Sequence, residues 1–336
     1  MKRKTMKRLI FIGLSASLLL FGSCEEEMVG PSIDGIAIDT FNIENSNPNV
    51  LLSADFANND SIHFVGSWEF DAKWIITVKG MTSGATKTLK GYGKSVDESV
   101  VWDGSSDLVF FKQDEICEAT LSFENYNDFK KSDNKVQVIS EKEIDCIILS
   151  DYDGVEAEGW AGSEPLVENG VVLPPTQKLS FEAEGIVAPQ GNYYCQMSGL
   201  ETGGKYYLAG NILMINESPL QIDTVDISNN YLNFFVYGYP EYYKNSQVFV
   251  MFTDANENQI GFQDRFTIQN IGWNGISVPL SRFRETGNET GKPFDFSNIT
   301  GAGYSLFSVD GTACSAKIAV DYFVITKGKP LFSLYN

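Results

Sequence analysis

Beyond residue 34 this chain never sustains the three-to-four-residue apolar spacing of a long amphipathic helix. Instead, short runs alternate apolar and polar residues and are cut at intervals by Gly, Asn, Asp and Ser, a pattern that predicts strands packed as β-sandwiches. In "KWIITVK", Trp74, Ile76 and Val78 share one face; Thr82–Ala85 (TSGA) reads as a hairpin turn and "TKTLKGYG" as the return strand. "SVVWDG" and "EICEATLSF" continue the pattern, so residues 34–142 are expected to form one compact all-β unit. Further on, "YLNFFVYGY", "SQVFVMFTD", "GWNGISVPLSRF" and "AKIAVDYFVITK" read as strands, several apolar on both faces as in a sandwich core. A second all-β unit is therefore expected over residues 143–330, with an alternative start near 178. An acidic, Gly/Pro-rich stretch between Asp151 and Pro175 also fits a linker.

The N-terminal end sets the expected location. Lys2, Arg3, Lys4, Lys7 and Arg8 precede an apolar run from Leu9 to Phe21, too short to cross a hydrocarbon core of ~30 Å as a helix. A basic head, a short apolar core and small residues before a cut describe a secretory signal over residues 1–23. Leu20-Phe21-Gly22-Ser23-Cys24 resembles a bacterial lipobox, although Phe21 stands where leucine is usual. That resemblance implies cleavage before Cys24 and lipidation of Cys24. Glu25-Glu26-Glu27 resembles the acidic tag of lipoproteins displayed on the outer face of some Gram-negative bacteria, and residues 24–33 would be a lipidated tether. The implied location is the outer membrane facing the exterior, with membrane contact through the anchor alone.

Charge excludes one class of partner. The chain has 25 basic and 44 acidic residues, and removing residues 1–23 takes away five basic residues and no acidic ones. A surface of 20 basic against 44 acidic residues repels phosphate backbones, so no nucleic-acid partner is expected. About 310 remaining residues suit two domains. Besides Cys24 there are Cys117, Cys146, Cys195 and Cys314, whose spacing shows neither a disulfide framework nor a metal pattern; Cys117 alternates with Ala119, Leu121 and Phe123 as a buried thiol would.

Three later segments resemble galactose-binding-like carbohydrate-binding modules: "ILSDYDGVEAEGW" (148–160) their opening strand, "GWNGISVPLSRF" (272–283) a strand entering a V-P-L-S corner, and "AVDYFVIT" (319–326) the closing strand. "KWIITVKG…VVWDG" is similar to Ig-like modules of bacterial surface proteins. The combination resembles the Sus-type surface glycan-binding lipoproteins. The resemblance implies an Ig-like β-sandwich over 34–142 followed by a galactose-binding-like jelly-roll β-sandwich over 143–330.

Asp321 lies between Val320 and Tyr322 in an apolar run, where an unpaired carboxylate is costly to bury. In the resembled modules an opening and a closing acid lie near a structural calcium, which makes Asp153 and Asp321 the candidate metal ligands; a hydrogen bond from a loop amide or screening by a lysine would also explain Asp321. No other cofactor is implied. "YGYPEYYKN" places Tyr239, Tyr242 and Tyr243 on a Pro-stiffened loop, where aromatic faces could meet a sugar or simply fill a turn. Trp160 and Trp273, each beside a glycine, are further candidates whose alternative is core packing. Few basic residues accompany these aromatics, which favours a neutral glycan.

His63, the sole histidine, falls in the first unit, so the second can hold no Ser-His-Asp or Cys-His arrangement. "TLKGYGKS" mimics a phosphate loop but has Thr88 where the first glycine is required. The expectation is a non-enzyme that captures a polysaccharide or oligosaccharide for a neighbouring outer-membrane transporter or surface glycosidase. The alternatives are an adhesin or structural lipoprotein that binds protein, and a divergent glycoside hydrolase, which needs only two carboxylates.

Overall fold

The computed structural model describes residues 38–44, 51–97, 99–124, 126–153, 166–168, 171–173, 176–181, 185–199, 208–215, 218–254, 259–262, 265–284, 294–308 and 316–335. Cys24, Trp160 and Cys314 lie outside them, as do the signal and tether segments. Among the described residues the regular structure is strand, with a few 3-10 turns and no α-helix.

A first sheet has seven strands: β1 (Ile38–Ile43), β2 (Leu52–Asp55), β3 (Ile62–Gly80), β4 (Thr86–Val96), β5 (Val101–Trp102), β6 (Ile116–Phe123) and β7 (Tyr126–Ser140). Its order is β1-β3-β6-β7-β2, with β4 and β5 also paired to β3. The 19 residues of β3 organise it, because Ile62, Phe64, Trp68, Trp74, Ile76 and Val78 all turn one face inward. Trp102 closes this core, its ring 4.7 Å from Phe56 and 4.8 Å from Phe111. The β3–β4 hairpin falls at the TSGA turn, and the reason lies in Glu115. This buried carboxylate accepts hydrogen bonds from the Thr82 and Ser83 amides (3.2 and 3.0 Å), the Ser83 hydroxyl (2.9 Å) and the Lys112 amide (2.6 Å). Donors that the turn leaves unpaired are thus satisfied inside the protein.

The remaining strands are β8 (Cys146–Ser150), β9 (Leu166–Glu168), β10 (Val171–Leu173), β11 (Thr176–Phe181), β12 (Tyr193–Gly199), β13 (Leu208–Ile215), β14 (Asn230–Gly238), β15 (Ser246–Asp254), β16 (Gln259–Phe262), β17 (Phe266–Thr267), β18 (Gly272–Pro279), β19 (Ile299–Ser308) and β20 (Ala316–Lys327). β9 and β10 pair with each other. A six-stranded sheet runs β11-β12-β20-β14-β18 with β8 on β20, and a five-stranded sheet runs β13-β19-β15-β16 with β17 on β15. Between them lies an apolar layer that includes Leu232, Phe234 and Val236 of β14, Ile318, Val320 and Phe323 of β20, and Val248, Val250 and Phe252 of β15. Burying each such side chain is worth about 1.5–3 kcal/mol, which makes this layer the main stabilising term here. The protein is all-β, and these facing sheets are a β-sandwich. Cys117, Cys146 and Cys195 are thiols; burial pushes the Cys117 thiol well up, as a core residue's should be.

Two features reshape the outer face of the six-stranded sheet. In β20 the pairing with β14 slips between Asn233 and Phe235, and Tyr322 has φ 48°, the signature of a bulge that re-aims neighbouring side chains. The tail after β20 folds back over the sheet. Buried Asn233 accepts from the Ser277 hydroxyl (2.6 Å) and the Leu331 amide (3.0 Å), and the Ser277 hydroxyl accepts from the Phe332 amide (2.9 Å). Those bonds pin the tail along β18.

Candidate functional site

An aromatic row crosses the other end of that outer face. Side chains along a strand alternate faces, so residues 232, 234 and 236 of β14 enter the core while Phe235 and Tyr237 point out. Register places Tyr237 opposite Trp273 of β18, with ring centroids 5.2 Å apart. Tyr239 follows at 5.0 Å from Tyr237. The Tyr239 hydroxyl donates to Gln196 Oε1 at 2.7 Å, and the Lys317 ammonium lies 4.3 Å from its ring centroid. Trp273 is fixed by its indole N–H, which donates to the Val187 carbonyl at 2.8 Å, and by the rings of Tyr194 (5.7 Å) and Phe235 (6.3 Å). All three row residues are half-buried and pack against Ile186, Ala188, Tyr194 and Ala319.

Beside Trp273 runs a groove of about 440 Å³. Its walls carry Thr267, Gln269, Asn270, Asn274, Ser333 and Tyr335, with Leu108 from the segment between β5 and β6. Asn274 holds the 270–274 turn: its Nδ2 donates to the Asn270 and Gly272 carbonyls (2.9 and 2.8 Å) and its Oδ1 accepts from the Asn270 amide (3.1 Å). An indole edge beside amides and hydroxyls matches a sugar, which has apolar C–H faces and a rim of hydroxyls. None of the described lining residues is Asp or Glu.

Of the candidates named from sequence, Tyr239 and Trp273 come together in this row. Tyr242 and Tyr243 do not join it. Their amides both donate to the Tyr239 carbonyl (3.0 and 2.9 Å), closing a tight turn, and Tyr243 packs against the sandwich core with Lys244 5.6 Å from its ring. Tyr242 is half-buried on the same turn. Tyr237, Asn270 and Asn274 are not among the candidates named from sequence. The signal for the two asparagines was the polar frame of "QNIGWNG" around Trp273.

The two candidate metal ligands meet at a different place. Asp153 accepts from the Asn192 and Tyr193 amides (2.6 and 3.1 Å), and Asp321 accepts from the Gln190 and Tyr322 amides (3.2 and 2.7 Å), so both carboxylates converge on one turn. Gly191 is required there: its φ is 51°, and a Cβ would fall 1.3 Å from Asp153 Oδ2. Burial, then Asp151, pushes Asp153 above the usual carboxylate range. Asp321 is completely buried and is raised much further, by burial first and then by Asp153 and Asp151. Gln190 Oε1 is buried beside them with no hydrogen-bond donor among the described residues. Clustered acids and an unpaired amide oxygen fit a hard cation such as calcium. Among the described residues no three His, Cys, Asp or Glu side chains gather to hold a metal, so carbonyl oxygens would have to complete the set.

No protein-family profile matches the chain, and no curated protein does. Solved structures with similarity include the family 11 carbohydrate-binding module of the cellulosomal cellulase Lic26A-Cel5E of Clostridium thermocellum (15% identity, 58% of this chain and 99% of that one, TM-score 0.37). The same family's module from that organism in complex with a β-1,3-1,4-mixed-linked tetrasaccharide gives 16% identity over 56% and 98%, with a TM-score of 0.38. The surface glycan-binding protein PbSGBP-B of Prevotella bryantii gives 10% identity over 88% of this chain and 77% of that one, with a TM-score of 0.36. At such TM-scores the likeness carries no ligand from those proteins to this one.

Proposed function

We propose that the protein binds a polysaccharide or oligosaccharide without catalysis, along the row Tyr239–Tyr237–Trp273 and the adjoining groove. The observation that carries this reading is the row itself: three half-buried rings, pre-set by packing, with the groove's amides and hydroxyls beside Trp273. We place the protein on the outer cell surface, lipidated at Cys24, with residues 34–142 and 143–330 as its two domains and a glycan transporter or surface glycosidase as its neighbour. A structural calcium held by Asp153 and Asp321 would neutralise the paired acids and stiffen the turn at Gly191; its role is stability, not chemistry.

Native affinity electrophoresis of residues 25–336 through gels cast with neutral polysaccharides tests the reading. One polymer should retard the wild type and fail to retard Trp273→Ala. Migration unaffected by every polymer, with calcium present, contradicts it.

A further inference from the structure

We propose that the first sheet's unit is part of the glycan site: its Leu108–Phe110 segment forms a wall of the groove and positions Trp273. The wall role rests on the glycan reading above. Leu108 lines the groove while remaining 36% exposed, so a ligand in the groove can touch it. Its seat is the bare backbone of Gly275 on β18, where a Cβ would come within 2.5 Å of Phe332 and 3.0 Å of Leu108. Two residues on, Phe110 is driven into the outer face of the six-stranded sheet. Its ring lies 5.5 Å from Phe235 and 5.1 Å from Tyr322, both edge-on.

Phe110 reaches Trp273 by two routes. Through side chains, Phe235 touches both Phe110 and Trp273. Through the backbone, the Phe110 amide donates to the Pro189 carbonyl at 2.8 Å, two residues from the Val187 carbonyl that accepts the Trp273 indole N–H. An aromatic platform binds best when its rotamer is locked before the ligand arrives, because ordering it then costs nothing on binding. Removing Phe110 loosens both supports of the indole at once. A spacer would need neither contact.

The test uses residues 25–336 carrying Leu108→Trp, Phe110→Ala or Phe110→Leu, with affinity for the retained polymer and amide hydrogen exchange as readouts. Leu108→Trp should fill the groove and weaken binding about tenfold while exchange stays as in the wild type. Phe110→Ala should weaken binding about fivefold and speed exchange at residues 187–190 and 273–276, while β6 and β7 stay protected. Phe110→Leu, which refills the site with an apolar side chain, should recover most of both. Wild-type affinity in Leu108→Trp and Phe110→Ala would overturn the inference and leave the glycan reading standing. If no polymer binds the wild type, the glycan reading falls and takes the wall role with it. Exchange then decides the positioning role alone: faster at residues 273–276 in Phe110→Ala supports it, and unchanged overturns it.

Discussion

Among the described residues two carboxylates are buried, and their surroundings differ. Glu115, just before β6 of the first sheet, accepts from three backbone amides and a hydroxyl and so organises the β3–β4 hairpin without outside help. Asp321, in the sandwich, accepts from only two backbone amides and stands near Asp153 and Asp151. A buried charge is tolerated when donors satisfy it and is otherwise neutralised by a proton or a cation. Glu115 reads as architecture, and Asp321 as half of the calcium site proposed above.

Substitutions can break that contrast. Glu115→Ala should lower unfolding stability by about 2–3 kcal/mol, because the buried Ser83 amide and the partly buried Thr82 and Lys112 amides lose their acceptor; a denaturant titration checks it, and the loss should be the same with calcium or chelator. Calcium at a hundredfold excess over its dissociation constant should stabilise the wild type by about 2.7 kcal/mol and Asp321→Asn not at all, read as a shift of the thermal midpoint. A calcium response that survives Asp321→Asn would remove Asp321 from the ligand set. Gly191→Ala should cost about 1–2 kcal/mol, since alanine is strained at this φ and its methyl meets Asp153; the thermal midpoint in chelator reads it.

The smallest effect is in pH. Without metal, burial and the neighbouring acids raise Asp321's folded-state pKa, so the folded protein favours the protonated carboxyl. That contribution is complete below the unfolded value of about 4 and is lost as pH rises through the folded one. In chelator, Asp321→Asn should therefore gain on the wild type as pH rises above about 4, and calcium should reverse the order at neutral pH. Parallel pH profiles would show that Asp321 finds its compensation elsewhere.

Much of the fold was legible because strand period is local: Trp74, Ile76 and Val78 declare one face of β3, and TSGA declares its turn. Asp321 was legible as an anomaly, a charge inside an apolar run. The bulge at Tyr322 that accommodates it was not, since nothing in "AVDYFVIT" marks a φ of 48°. Nor could sequence separate Tyr239 from Tyr242 and Tyr243. All three sit in one loop, and which ring joins the row depends on β14 register and on Trp273 more than thirty residues away. The docking of Phe110 depends on Phe235 and Tyr322, more than a hundred residues distant, and no local pattern encodes it.

The central claim is that the Tyr239–Tyr237–Trp273 row binds a glycan. Its most direct test is calorimetric titration of residues 25–336 with oligosaccharides cut from whichever polymer the affinity gels retain, alongside Trp273→Ala and Tyr242→Ala. The account predicts saturable heat for the wild type, none for Trp273→Ala and near-wild-type binding for Tyr242→Ala. Undiminished binding by Trp273→Ala would contradict it.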